Sequence, residues 1–81
     1  MKIPRDISSN DIIQLLKKYD YKITRQTGSH IRLTSNLKGK EHNITIPSHK
    51  DLKVGTINSI LNDIPKYLEI KKEILTKNLS K

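Results

Sequence analysis

The stretch Arg25-Gln26-Thr27-Gly28-Ser29-His30 sets a histidine directly after a glycine-containing turn, with Arg32 two residues further on. An imidazole titrates near pH 6.5 in ordinary surroundings, so it can both accept and release a proton around neutrality. RNA carries its own nucleophile. A neutral imidazole can take the 2′-OH proton as that oxygen attacks the adjacent phosphorus, and an imidazolium can protonate the departing 5′-oxygen. Neither step needs a metal. Arg25 or Arg32 can neutralise the phosphorane, because a guanidinium binds phosphate oxygens in a bidentate manner. One positioned acid/base group contributes about 10²–10⁴-fold, the scale of a slow ribonuclease.

The other histidines fit this chemistry less directly. His49, just past the third predicted strand, is a second candidate, whereas His42 shares its parity with Ile44 and Ile46 and is expected to be partly buried. Spacing alone does not separate a working His30 from a plain polar residue at an exposed strand start. Three histidines without a matching carboxylate or cysteine pattern form no recognisable metal site, so neither metal nor cofactor is expected. In Lys50-Asp51-Leu52-Lys53-Val54-Gly55-Thr56, Lys50 and Lys53 stand at the predicted start of a helix. Free N–H groups and the helix dipole favour an anion there, although a simple helix start explains the segment nearly as well. The glycine pattern of a P-loop is missing, which argues against nucleotide hydrolysis.

The elements that must position these residues follow from periodicity. Ser8-x-x-Asp11 is a capping box, and Ile12, Leu15, Leu16 and Tyr19 recur at helical spacing, predicting a first helix over 9–19. Asp20 stands where a left-handed cap is expected. From Tyr21 the period becomes two, with Tyr21 and Ile23 on one face and Lys22, Thr24 and Gln26 on the other. Thr27-Gly28 reads as the turn. Ile31 and Leu33 then face the core while His30, Arg32 and Thr34 face outward, and Ile44 and Ile46 alternate with Asn43 and Thr45 up to Pro47. Val54, Ile57, Ile60, Leu61 and Ile64 predict a second helix that Pro65 closes or kinks, and the tail from about 66 to 79 permits a third. The expectation is one α+β domain over 1–81, α-β-β-β-α with a three-stranded antiparallel sheet, its core within 3–64, and an extra C-terminal helix. Its open face carries no aromatic residue, so RNA contact must rest on phosphates, 2′-hydroxyls and shape rather than on stacked bases.

Composition agrees with a polyanion partner. Sixteen Lys and Arg against eight Asp and Glu give a formal charge of +8. The charge is +1 over residues 1–20, +5 over 21–53 and +2 over 54–81, so the middle third is the electrostatic footprint. Cysteine is absent, which removes disulfides, thiolate metal sites and a cysteine nucleophile. No signal peptide and no run of about 20 apolar residues is seen, and the expectation is a soluble cytoplasmic protein without membrane contact.

Four stretches, Ile3-Pro4-Arg5-Asp6-Ile7-Ser8, Arg25 to His30, Ile46-Pro47-Ser48-His49, and Leu52 to Leu61, occur in the order and spacing of a known family. The chain resembles a HicA-type toxin, the mRNA-interferase half of a HicA–HicB toxin–antitoxin pair. The resemblance implies a fold similar to a double-stranded-RNA-binding domain and a metal-independent endoribonuclease whose essential histidine is His30 of the Gly28-Ser29-His30 element. It also implies a HicB-like antitoxin that covers the active face, with the toxin monomeric when free and hetero-oligomeric in the complex. Two segments depart from the family pattern. Tyr19-Asp20-Tyr21 replaces a frequent glycine before the first strand, and Asn62-Asp63-Ile64-Pro65 replaces the usual end of the second helix. The C-terminal helix is therefore left to dock on the sheet edge, meet the antitoxin or form a dimer.

The leading expectation is an endoribonuclease acting on single-stranded mRNA. His30 and Ser29 are its catalytic pair, Arg25, Arg32, Lys50, Lys53 and His49 bind RNA, and Gly28 shapes the turn. Its main alternative is a non-enzymatic double-stranded-RNA-binding module, and a third is an adaptor whose charge meets an acidic partner.

Overall fold

A computed structural model describes residues 6–79; Ile3, Pro4 and Arg5 of the first matching stretch lie outside the described residues. The order is α1 (Ser9–Lys17), β1 (Lys22–Thr27), β2 (His30–Ser35), β3 (His42–Pro47), α2 (Val54–Leu68) and α3 (Lys72–Leu79). The strands form one antiparallel sheet in the order β1-β2-β3. This is the α+β arrangement of a double-stranded-RNA-binding domain with one added helix. Among the described residues no helix is long and apolar enough to cross a membrane.

The capping box forms as the sequence requires. The Ser8 hydroxyl accepts the Asp11 N–H at 3.1 Å, and the Asp11 carboxylate accepts the Ser8 N–H at 2.9 Å, which satisfies two donors that the helix start leaves free. At the other end Asp20 adopts φ 65°, and the Tyr21 N–H returns to the Leu16 carbonyl, so the polar residue supplies the left-handed step expected of it. Ile12, Ile13, Leu15 and Leu16 are buried against Ile31, Leu33 and Ile46 from the sheet and Ile57, Ile60, Leu61 and Ile64 from α2. One sheet face is thus covered and the other left open, the division that an antiparallel sheet with helices on one side produces.

Two expectations about the C-terminal half are corrected. Pro65 does not close α2; helical backbone runs on to Leu68, and the last helix begins at Lys72 rather than near 66. Proline removes one backbone bond, but Ile64, Pro65 and Leu68 extend the buried stripe through it, and that burial offsets the lost donor. The chain reverses instead at Glu69, which sits at φ 58° and whose N–H returns to the Pro65 carbonyl. The third helix does not dock on the sheet edge. It packs on α1 and α2, burying Leu75 and Leu79.

Glu69 pays a backbone cost that glycine would not. The left-handed conformation costs a residue that carries a Cβ about 1–2 kcal/mol, while glycine adds about 0.4–1 kcal/mol of unfolded-chain entropy. The Lys38–Glu69 ion pair at 3.5 Å is largely exposed and contributes little. Glu69→Gly is expected to raise the melting temperature by a few degrees in a thermal scan; a fall would mean that the exposed pair outweighs the backbone relief.

Opposite this reversal, three rings fasten the β2–β3 loop. The Tyr21 hydroxyl lies 2.6 Å from His42 Nδ1, and the His42 ring stacks on Tyr67 with centroids 4.7 Å apart. The Tyr67 hydroxyl meets the carbonyls of Ser35 and Lys40 and accepts the Lys38 N–H. Burial, with Tyr67 nearby, pushes the Tyr21 phenol well up, so its proton stays in place. His42 is half-buried and structural, as its parity predicted.

Candidate active site on the open sheet face

The turn between β1 and β2 is Gly28-Ser29 rather than Thr27-Gly28, with Thr27 and His30 as the closing pair. Gly28 takes φ +54° at the first loop position, a value that glycine adopts without a steric penalty. This turn fixes His30 as the first residue of β2, facing away from the helices and exposed. On the far side His30 is in register with Pro47. The Ser29 carbonyl accepts the Ser48 N–H at 2.6 Å, which ties the turn to the end of β3. Ser29 thus holds the turn through its backbone.

The β1 register departs from strict alternation. Ile23 pairs with Leu33, but the next pair is Arg25 with Arg32, leaving Thr24 as the extra residue of a β-bulge. The outward set is therefore Lys22, Thr24, Arg25 and Thr27, and Gln26 moves to register with core-facing Ile31. The expectation that Gln26 faces outward is corrected. Ile23 keeps its core-side parity yet remains 46% exposed on β1, an edge strand of the sheet.

The consequence is a shallow concavity of about 220 Å³ lined by Arg25, Thr27, His30, Arg32 and Thr45. A histidine, two guanidiniums and two hydroxyls meet in one place, the set that general acid/base chemistry at a phosphodiester would use. Thr27 and Thr45 were not singled out from the sequence as site residues. The pairing of Thr45 with Arg32 and of Thr27 with His30 would have indicated them, had the register been known. Next along the sheet, Thr24 and Thr34 hydroxyls lie 2.9 Å apart and Thr34 donates to Asn43 Oδ1, so this row is satisfied internally.

The remaining predicted residues lie outside this concavity. His49 and Lys53 line a second hollow with Pro47, Asp51, Leu52 and Thr56 at the start of α2, while His49 and Lys50 line a third with Ser8, Ser9 and Asn10. Ser9 joins these two segments, its N–H and hydroxyl both donating to the His49 carbonyl at 3.0 and 3.2 Å. Lys53 is the N-cap of α2 but makes no side-chain capping bond. Among the described residues no three His, Cys, Asp or Glu side chains gather as a metal ion would require.

No curated protein and no solved structure matches the chain. A family model described as the HicA toxin of bacterial toxin–antitoxin matches residues 9–65, from the first residue of α1 through the sheet to Pro65 in α2. The matched span contains the bulge, the Gly28-Ser29 turn and the His30 concavity and stops short of α3, and over that span the chain belongs to the HicA toxin family of toxin–antitoxin systems.

Proposed function

We propose that this HicA-family toxin is a metal-independent endoribonuclease that cleaves mRNA, with His30 as general acid/base. The observation that carries the reading is the shared concavity of His30, Arg25 and Arg32 on an exposed, aromatic-free face. His30 takes the 2′-OH proton and returns one to the 5′-oxygen. The arginines meet the phosphate charge, and Ser29 fixes the turn that presents the imidazole. Lys50, Lys53 and His49, near the start of α2, carry the RNA backbone beyond the reacting phosphate. A HicB-like antitoxin, acidic to match the +8 charge, covers this face, and the free toxin is a monomer.

Purified protein incubated in EDTA with a defined single-stranded RNA is expected to leave 2′,3′-cyclic phosphate or 3′-phosphate ends, read by gel and end labelling. Salt-sensitive binding of duplex RNA with no turnover would replace this reading by a non-enzymatic double-stranded-RNA-binding module.

A further inference from the structure

We propose that Arg25 and Arg32 act as a single phosphate clamp for a single-stranded RNA backbone, created by the β-bulge at Thr24. The clamp deepens the reading of this face as the RNA-cleaving one and rests on it for the identity of the ligand.

The first support is the register. Arg25 and Arg32 are direct cross-strand partners, and like charges placed opposite each other destabilise a sheet. Neither side chain has a hydrogen bond or an ion-pair carboxylate among the described residues, where the ion pair found is Lys38–Glu69. The free protein therefore holds an uncompensated repulsion that an anion between the two guanidiniums relieves. The second support is how that pair arises. With unbroken alternation Arg25 would share the parity of Ile23 and Leu33 on the core side, and Gln26 would face outward. The bulge exchanges them, which is the re-aiming of a side chain that bulges perform.

The third support concerns the ligand. The clamp and His30 line one concavity, so a strand gripped by the arginines is held at the imidazole. Two guanidiniums lining one hollow suit phosphate oxygens, with the Thr45 hydroxyl, in register with Arg32, as a further donor. The outward rows carry no Phe, Tyr or Trp, so an RNA strand held here is gripped by its phosphates and not by stacked bases. A clamp of this kind reads no base and holds RNA by its backbone.

The test uses the His30→Ala protein, which binds without turnover, and a short fluorescein-labelled single-stranded RNA followed by anisotropy at several salt concentrations. The double variant R25Q/Q26R keeps the net charge and moves the guanidinium to the opposite face; R32Q removes the partner. Each is expected to bind about ten-fold more weakly, with a salt slope shallower by about 0.7, as for one lost phosphate contact on a single strand. Without RNA, each should melt no lower than its parent, because the repulsion has gone; circular dichroism checks the fold, and R32Q decides if the double variant misfolds. Unchanged affinity and slope in R25Q/Q26R would overturn the clamp and leave only the general positive field, even where His30-dependent cleavage holds. Absence of RNA binding by the parent would overturn it as well. Arg-dependent binding in a chain whose intact His30 form cleaves nothing would keep the clamp and remove the nuclease.

Discussion

Replacement of His30 by alanine is expected to reduce RNA cleavage by at least about 10²-fold, and to abolish growth arrest on induced expression, while folding stability changes by no more than about 0.5–1 kcal/mol. The two halves of this expectation have separate causes. The imidazole is exposed, lies outside the hydrophobic core and makes no side-chain hydrogen bond within the described chain, so its removal leaves no cavity and no orphaned partner. The backbone of position 30 keeps its pairing with Thr27 and Pro47, and the Ser48–Ser29 bond keeps the turn. On the proposed reading, cleavage would lose the one imidazole among the described residues that line the concavity. Gel assays in EDTA, a growth assay and a urea titration on the same variant measure the three quantities. Full cleavage by the alanine variant would move the chemistry to another group, and a large stability loss with retained cleavage would make His30 a folding residue.

Leu33→Ala is expected to do the reverse. Leu33 is the centre of the covered sheet face, fully buried and in register with Ile23 on one side and Ile44 on the other. Truncating a leucine in such a place costs about 2–5 kcal/mol, transfer and cavity together. A domain of this size holds little in reserve, so the loss takes a large part of a total of about 5–15 kcal/mol. At about 4–8 °C per kcal/mol, the melting temperature should fall by about 8 °C or more. Cleavage per folded molecule should survive below the new midpoint, since position 33 faces the helices while His30 and Arg32 face away. A drop of less than about 1 kcal/mol would show that the helices close over the gap; lost cleavage in a fully folded variant would show that the open face depends on the packing beneath it.

Much of this division is legible in the chain itself. The capping box at Ser8 and Asp11, the left-handed step at Asp20, the two-residue period of β2 and β3 and the half-burial of His42 are local consequences of residue type. The contacts of the capping box and of the left-handed step lie within a few positions, whereas His42 is legible only through its strand parity and meets Tyr21 and Tyr67 from far along the chain. The same locality sets the outward direction of His30, because a glycine turn and the strand period following it determine which way the residue after the turn points. The +5 charge over residues 21–53 marked the surface on which it stands.

Other features depend on partners distant in sequence. Whether Thr24 bulges is decided by β2, whose Leu33 and Arg32 pair with Ile23 and Arg25 and leave no partner for the residue between. A strand read alone has no reason to slip, so strict alternation put Gln26 in the place that Arg25 occupies. Pro65 reads locally as a stop or a kink, and the helix continues because Leu68 finds a buried site beyond it. The place of α3 on α1 and α2 follows from Leu75 and Leu79 meeting an apolar surface that the earlier elements assemble. The family, the order of elements and the outward direction of residue 30 follow from the chain's local pattern and motif spacing. That Arg25 faces Arg32 on the outward side, where strict alternation places Gln26, is a property of strand register, and register is set by two strands at once.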